Sequence, residues 1–219
     1  MRKYCYLGTV IVTALIAALP LTSAAAATPH VLTITKLGGT AVKVDAVLKA
    51  SLVKGTTAVF STSIGKLTCK TSTFSAKVLT NPAKPGTATE SLTKQTFSKC
   101  SIPGVPATIN SFTVNNLPYK GTVSDAAGDP VKVSGQSKTK PLKATISVTV
   151  SGLGTFKCFV KAASIKGNAS NTGNKVTFAN QKFTGGGTNS ACPSSAKFSA
   201  SYGPVVDSSV SGSPKVFVN

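Results

Sequence analysis

The chain has 219 residues, 24 lysines and arginines against five acids, and a formal net charge of +19. It has one histidine and no tryptophan, which leaves a single candidate for the commonest general base and few platforms for stacking nucleic-acid bases. Its 41% hydrophobic content is enough to build a packed core, so a disordered polyelectrolyte is excluded as well.

The first element is a leader. Met1-Arg2-Lys3 is basic, residues 6–21 form an apolar run containing Gly8 and Pro20, and Ala25-x-Ala27 offers small residues for cleavage before Thr28. This pattern reads as a secretory signal peptide over 1–27. The apolar run is short for a bilayer span of about 20 residues, and no later run could span, so the mature chain is expected to have no membrane segment. Residues 28–219 keep 22 basic residues once Arg2 and Lys3 are removed, all of them lysine, against Asp45, Glu90, Asp125, Asp129 and Asp207. Cys5 leaves with the leader, while Cys69, Cys100, Cys158 and Cys192 remain. Four cysteines in an exported chain predict two disulfides, with three possible pairings. None lies in a C-x-x-C motif, which argues against zinc.

Strands are expected from residue 31 onward. Residues 31–36 and 42–47 read as extended, and the alternation over 42–53 puts Val42, Val44, Ala46, Leu48, Ala50 and Leu52 on one side. Residues 144–150 alternate Ala144, Ile146, Val148 and Val150 with threonine and serine. In 156–162, Phe156, Cys158, Val160 and Ala162 oppose Lys157 and Lys161. Period two predicts strands with one buried face. Turn signals fall at Leu37-Gly38-Gly39, Asn81-Pro82, Lys84-Pro85-Gly86, Gly128-Asp129-Pro130, residues 171–174 and Gly185-Gly186-Gly187. No helical period appears. The expected fold is all-β, a disulfide-bonded antiparallel sandwich or barrel.

Five short stretches recur in order. LKASL, GKLTC, QTFSKC, YKGTVSD and PVKV start at 48, 65, 95, 119 and 130. LKATI, GTFKC, QKFTGGG, YGPVVD and PKVFV start at 142, 154, 181, 202 and 214. The shared order predicts an internal duplication, with repeat one over about 48–133, repeat two over about 142–218 and a short connection at 134–141. Equivalent cysteines should then make equivalent bonds, Cys69 with Cys100 and Cys158 with Cys192. The second half looks too short for a sandwich of its own, so the halves are expected to share one core.

Little here points to catalysis. His30 would lie near a frayed terminus, a poor place for a base. Asp125 and Asp129 could help to hold calcium, but beside Gly128 and Pro130 they are ordinary turn formers. Tyr119 and Tyr202 occupy matching places and are expected to be packing tyrosines with backbone-bonded hydroxyls. Asn168-Ala169-Ser170 spells a glycosylation sequon. No catalytic, cofactor or metal residue is assigned, and the protein is expected not to be an enzyme. Many lysines lie opposite the apolar faces of strands, where they solvate a sheet or attract a polyanion. The absence of arginine from the mature chain argues against sequence-specific nucleic-acid binding. The expected role is a secreted surface-associated or binding module with lysine-driven affinity for anionic cell-wall polymer. The alternative is a small-ligand carrier with a pocket between sheets or inside a barrel.

PGTATESLTKQTFSKC, NNLPYKGTVSDAAGDPVKV and the closing FVN resemble stretches of small secreted proteins of actinobacterial type, across most of the mature chain. The resemblance implies export from a Gram-positive cell; it brings no assigned activity and no catalytic or binding residue. In compartment and architecture alone, the chain is similar to the disulfide-bonded β-sandwich apoproteins that carry enediyne chromophores.

Overall fold

The computed structural model describes residues 28–219, and the expected leader lies outside them. Sixteen strands follow in order. They are β1 (Leu32–Ile34), β2 (Thr40–Ala41), β3 (Val47–Ser51), β4 (Ala58–Thr62), β5 (Gly65–Thr80), β6 (Thr87–Ser101), β7 (Ala107–Asn115) and β8 (Tyr119–Ser124). The rest are β9 (Pro130–Ser134), β10 (Leu142–Val150), β11 (Gly154–Ala162), β12 (Ser164–Ser170), β13 (Lys175–Gly187), β14 (Ser195–Tyr202), β15 (Val206–Asp207) and β16 (Val216–Val218).

Eight of these strands close an antiparallel barrel in the order β12-β9-β8-β6-β5-β4-β14-β13, with a β12–β13 ladder completing the ring. Closure removes the free edges that an open sheet would expose. From β13 the sheet also branches outward through β11, β10 and β7, while β3 pairs with β5 and β15. A small sheet, β16-β1-β2, lies beside the barrel. Both halves of the chain therefore supply barrel strands, and their buried residues form one core.

The alternating pattern explains the well-read strands. In β10, Leu142, Ala144, Ile146 and Val148 are buried while the residues between them are not. β11 buries Phe156 and Val160 and exposes Lys157 and Lys161. Inside, Phe60 of β4 packs on Phe198 with ring centres 4.8 Å apart, and Phe97 of β6 packs on Phe112 of β7 at 4.6 Å. Phe60 also lies 5.5 Å from Phe112, so one aromatic cluster joins the barrel to its outer strands.

Two disulfides are present, Cys69–Cys100 and Cys158–Cys192. The first joins directly opposed residues at the open end of the β5–β6 hairpin, whose turn spans 81–86. The second ties β11 to the turn that follows β13. Loops of 31 and 34 residues are each worth about 3–4 kcal/mol if the bond acts by restricting the unfolded chain.

Three local expectations are corrected. Residues 42–53 are not one strand. Asp45 has φ +67° and Ala46 donates back to the Lys43 carbonyl, a turn that leaves Val44 56% exposed before β3 begins. Gly185-Gly186-Gly187 is not a turn but the end of β13. His30 is not frayed, because it bridges to Ala83 and its carbonyl accepts from Asn219 Nδ2 at 2.9 Å.

Four of the five paired stretches fall on β3 and β10, on β5 and β11, on β6 and β13, and on β9 and β16, while in the fifth YKGTVSD lies on β8 and YGPVVD runs from the end of β14 into β15. Their surroundings differ in part: β3 pairs with the later half of β5, whereas β10 pairs with β7 and with β11 along its whole length.

Candidate functional site

Two features outside ordinary packing stand out: a band of lysine on the barrel exterior and a cavity within it. The band follows from strand register, since residues directly opposed on neighbouring strands share a face. Lys66 of β5 opposes Ser61 of β4, Ser61 opposes Lys197 of β14, and Lys197 opposes Lys182 of β13. Two residues along β13 on the same face, Thr184 opposes Lys161 of β11, which opposes Lys143 of β10. Five lysines thus cross six adjacent strands, a width of about 24 Å at the usual strand spacing. Phe183, between Lys182 and Thr184, points the other way and packs near Phe60 and Phe198.

Lys161, Lys182 and Lys197 also line a surface groove with Lys138, Ser164, Thr184 and Ser195, and no acid lines it. Lys143 and Lys161 sit 5.4 and 5.9 Å from the Phe159 ring centre, within cation–π range. Lys143↔Lys161 and Lys182↔Lys197 place like charges directly across a ladder, and Lys132↔Lys166 does so between β9 and β12. Such pairs are destabilising. Among the described residues one ion pair is present, Lys77 with Asp45 at 2.8 Å.

The cavity occupies about 150 Å³. Its walls are mostly apolar, including Leu48, Phe74, Leu92, Val123, Val131 and Val133. Glu90 of β6 intrudes on them. It stands in an inward-facing row with Val78 of β5, Gly121 of β8, Val133 of β9 and Ile165 of β12. A Cβ on Gly121 would lie 3.5 Å from Glu90 Oε2, so the missing side chain leaves room beside the carboxyl. Burial away from water pushes the Glu90 carboxyl up to about 7.

A second polar group closes another part of the wall. Ser72 Oγ donates to the Thr96 carbonyl at 2.6 Å, so Tyr202 must donate to Ser72 Oγ at 2.9 Å. Gln95 Nε2 donates to Ser72 Oγ and to the Tyr202 hydroxyl at 2.8 and 3.1 Å. This network is internally satisfied. Burial, offset in part by Ser72 and Gln95, pushes the Tyr202 hydroxyl up to about 12.

Tyr119 and Tyr202 both line the cavity, but they differ in their partners. Tyr119 bonds backbone, the carbonyls of Asn115 and Lys143, as expected. Tyr202 instead bonds side chains, because β5 and β6 bring Ser72 and Gln95 to it. Asp125 accepts the Gly86 N–H at 3.1 Å, and Asp129 donates its N–H to the Ala126 carbonyl, both turn roles. Asp129 is held above the usual carboxylate range by desolvation and by the Asp125 charge. No group of three or more metal-ligating side chains occurs among the described residues. Asn168 is exposed, and its amide donates to the Gly128 carbonyl.

Fold and site together define a disulfide-stapled, closed antiparallel β-barrel with a basic exterior and an acid-bearing apolar cavity. No protein-family model, curated protein or solved structure matches this chain.

Proposed function

We propose that this is a secreted, non-enzymatic binding protein that holds anionic extracellular polymer, wall polymer first, along its lysine band. The observation that carries the reading is the acid-free run of Lys66, Lys197, Lys182, Lys161 and Lys143 in strand register. Opposed lysines cost stability in the free protein, and a bound polyanion turns that cost into attraction. The two disulfides suit an oxidising compartment.

Retention on isolated Gram-positive wall tests the reading. The protein should bind at low salt and elute by roughly 0.5 M salt, where screening confines charge interactions to a few ångströms. The variant Lys161→Gln/Lys182→Gln/Lys197→Gln should elute far earlier than Lys43→Gln/Lys54→Gln/Lys84→Gln, which removes equal charge elsewhere. Equal elution of the two would reduce the band to bulk charge, and no retention at low salt would end the reading.

The cavity favours a second reading, a carrier of small molecules inside the barrel, because small-molecule sites are mostly apolar concavities with a few placed polar groups.

A further inference from the structure

Three features of the cavity combine. Its volume, about 150 Å³, equals that of engineered apolar cavities that take up benzene. Its wall carries one ionisable acid, Glu90, set between Val78 and Gly121 in an otherwise apolar row. The Glu90 carboxyl makes no hydrogen bond and no ion pair among the described residues. Yet no buried side-chain oxygen or nitrogen lacks a partner there, so its oxygens must face accessible space. Glu90 and Gly121 both line the cavity, and the missing Gly121 side chain leaves open space beside the carboxyl there.

We propose that the barrel cavity binds a compact apolar amine, of about benzylamine size, whose ammonium group pairs with the Glu90 carboxylate beside Gly121. The inference rests on the carrier reading and narrows it to one ligand chemistry. The body of such a ligand replaces void with contacts to Leu92, Val123, Val131 and Val133. A carboxylate only accepts hydrogen bonds, so its partner must donate, and an ammonium offers three donors with a compensating charge. A plain hydrocarbon would fill the space and leave the acid unpaired, at the cost of an unsatisfied buried charge. An acidic ligand would add a second like charge. Of the other polar residues in the wall, Tyr119 bonds backbone, Tyr202 bonds Ser72 and Gln95, and Asn171 and Asn174 donate to the Val218 and Val216 carbonyls, while Lys143 and Lys175 also line it. Lys143 reaches the Phe159 ring, and no lysine lies within ion-pair distance of Glu90.

The probes are benzylamine and its near-isostere toluene, titrated into the full mature chain by calorimetry and by NMR of the cavity valine methyls. At pH 8 the native protein should prefer benzylamine by about tenfold or more, the factor that one desolvated charge-assisted contact of about 1.4 kcal/mol produces. Glu90→Gln should remove most of that preference. Glu90→Leu, which continues the apolar row and should fold at least as well, should reverse it. Lys54→Gln, outside both the cavity and the lysine band, should change neither. Toluene binding with no preference for the amine, or a preference that survives in Glu90→Gln, overturns the amine proposal and leaves the carrier reading standing. Binding of neither probe overturns both.

Discussion

Glu90 occupies a position where neighbouring alternate residues, Ala88 and Leu92, face the core. An unfolded glutamate releases its proton near 4.5, whereas the folded one holds it to about 7. Between those values the folded state binds more protons than the unfolded one, so stability falls as pH rises through the window and levels off above it. The fall is at most about 3 kcal/mol. Urea unfolding of the native protein should show it between pH 4.5 and 7, and Glu90→Leu should flatten the profile there; an unchanged slope would mean that the acid is solvated. Tyr202→Phe tests the neighbouring network. Gln95 and Ser72 keep each other and the Thr96 carbonyl, so the loss should be near the low end for a buried hydrogen bond, about 1 kcal/mol, read as a lowered urea midpoint. The acid was legible in principle, since Ala88-Glu90-Leu92 has the period of a buried face. Nothing local, however, says that its ladder partner is a glycine from a different hairpin, and that pairing is what makes room for the carboxyl. Charge was readable because it is a property of residue identity; the cysteine pairs agree with an expectation that rested on the order of the matching stretches.

At the scale of strands, sequence pattern and structure part company where long-range contacts decide. Three consecutive glycines signal a turn, but here they end β13 because their neighbours come too close for any side chain. A Cβ at Gly186 would lie 2.9 Å from Phe159 Cζ, and one at Gly187 would collide with Cys192 Sγ and the Lys157 carbonyl oxygen. Gly187→Ala should therefore break or displace the Cys158–Cys192 bond. Two thiols should titrate in the denatured variant, with a stability loss of about 2–5 kcal/mol. Residues 42–53 fail in the opposite sense, since the alternation is clean but Asp45 takes a left-handed turn and its N–H donates to the Val78 carbonyl. The opposed lysines allow a test that separates function from folding. Lys182→Glu replaces the like pair with Lys197 by an opposite one, which should stabilise the barrel by about 0.2–1 kcal/mol. The same change should weaken retention on wall polymer. A variant that is less stable would show that these lysines do not repel each other across the ladder, and one that binds as well as the native protein would take Lys182 out of the binding band.

Over residues 28–219, 22 lysines surround a core held by two disulfides and one closed barrel, with five acids to offset them. A net charge of this size opposes the compact state through self-repulsion, and both added salt and a bound polyanion relieve it. The two remedies act differently. Salt screens all the lysines at once, so the melting temperature of the protein alone should rise between roughly 0.01 and 0.5 M sodium chloride as the Debye length shrinks from about 30 Å to a few ångströms. A polyanion stabilises by binding the folded state, so its effect should be large at low salt and fade as salt weakens the complex. With polyphosphate present, the melting temperature should then start high and show a flattened or inverted dependence on salt. Calorimetry across that range distinguishes the cases. A protein that melts lower as salt is added, with or without polyphosphate, would mean that attraction within its own charges, not repulsion among its lysines, governs the fold, and the band would lose its claim to be held for a partner.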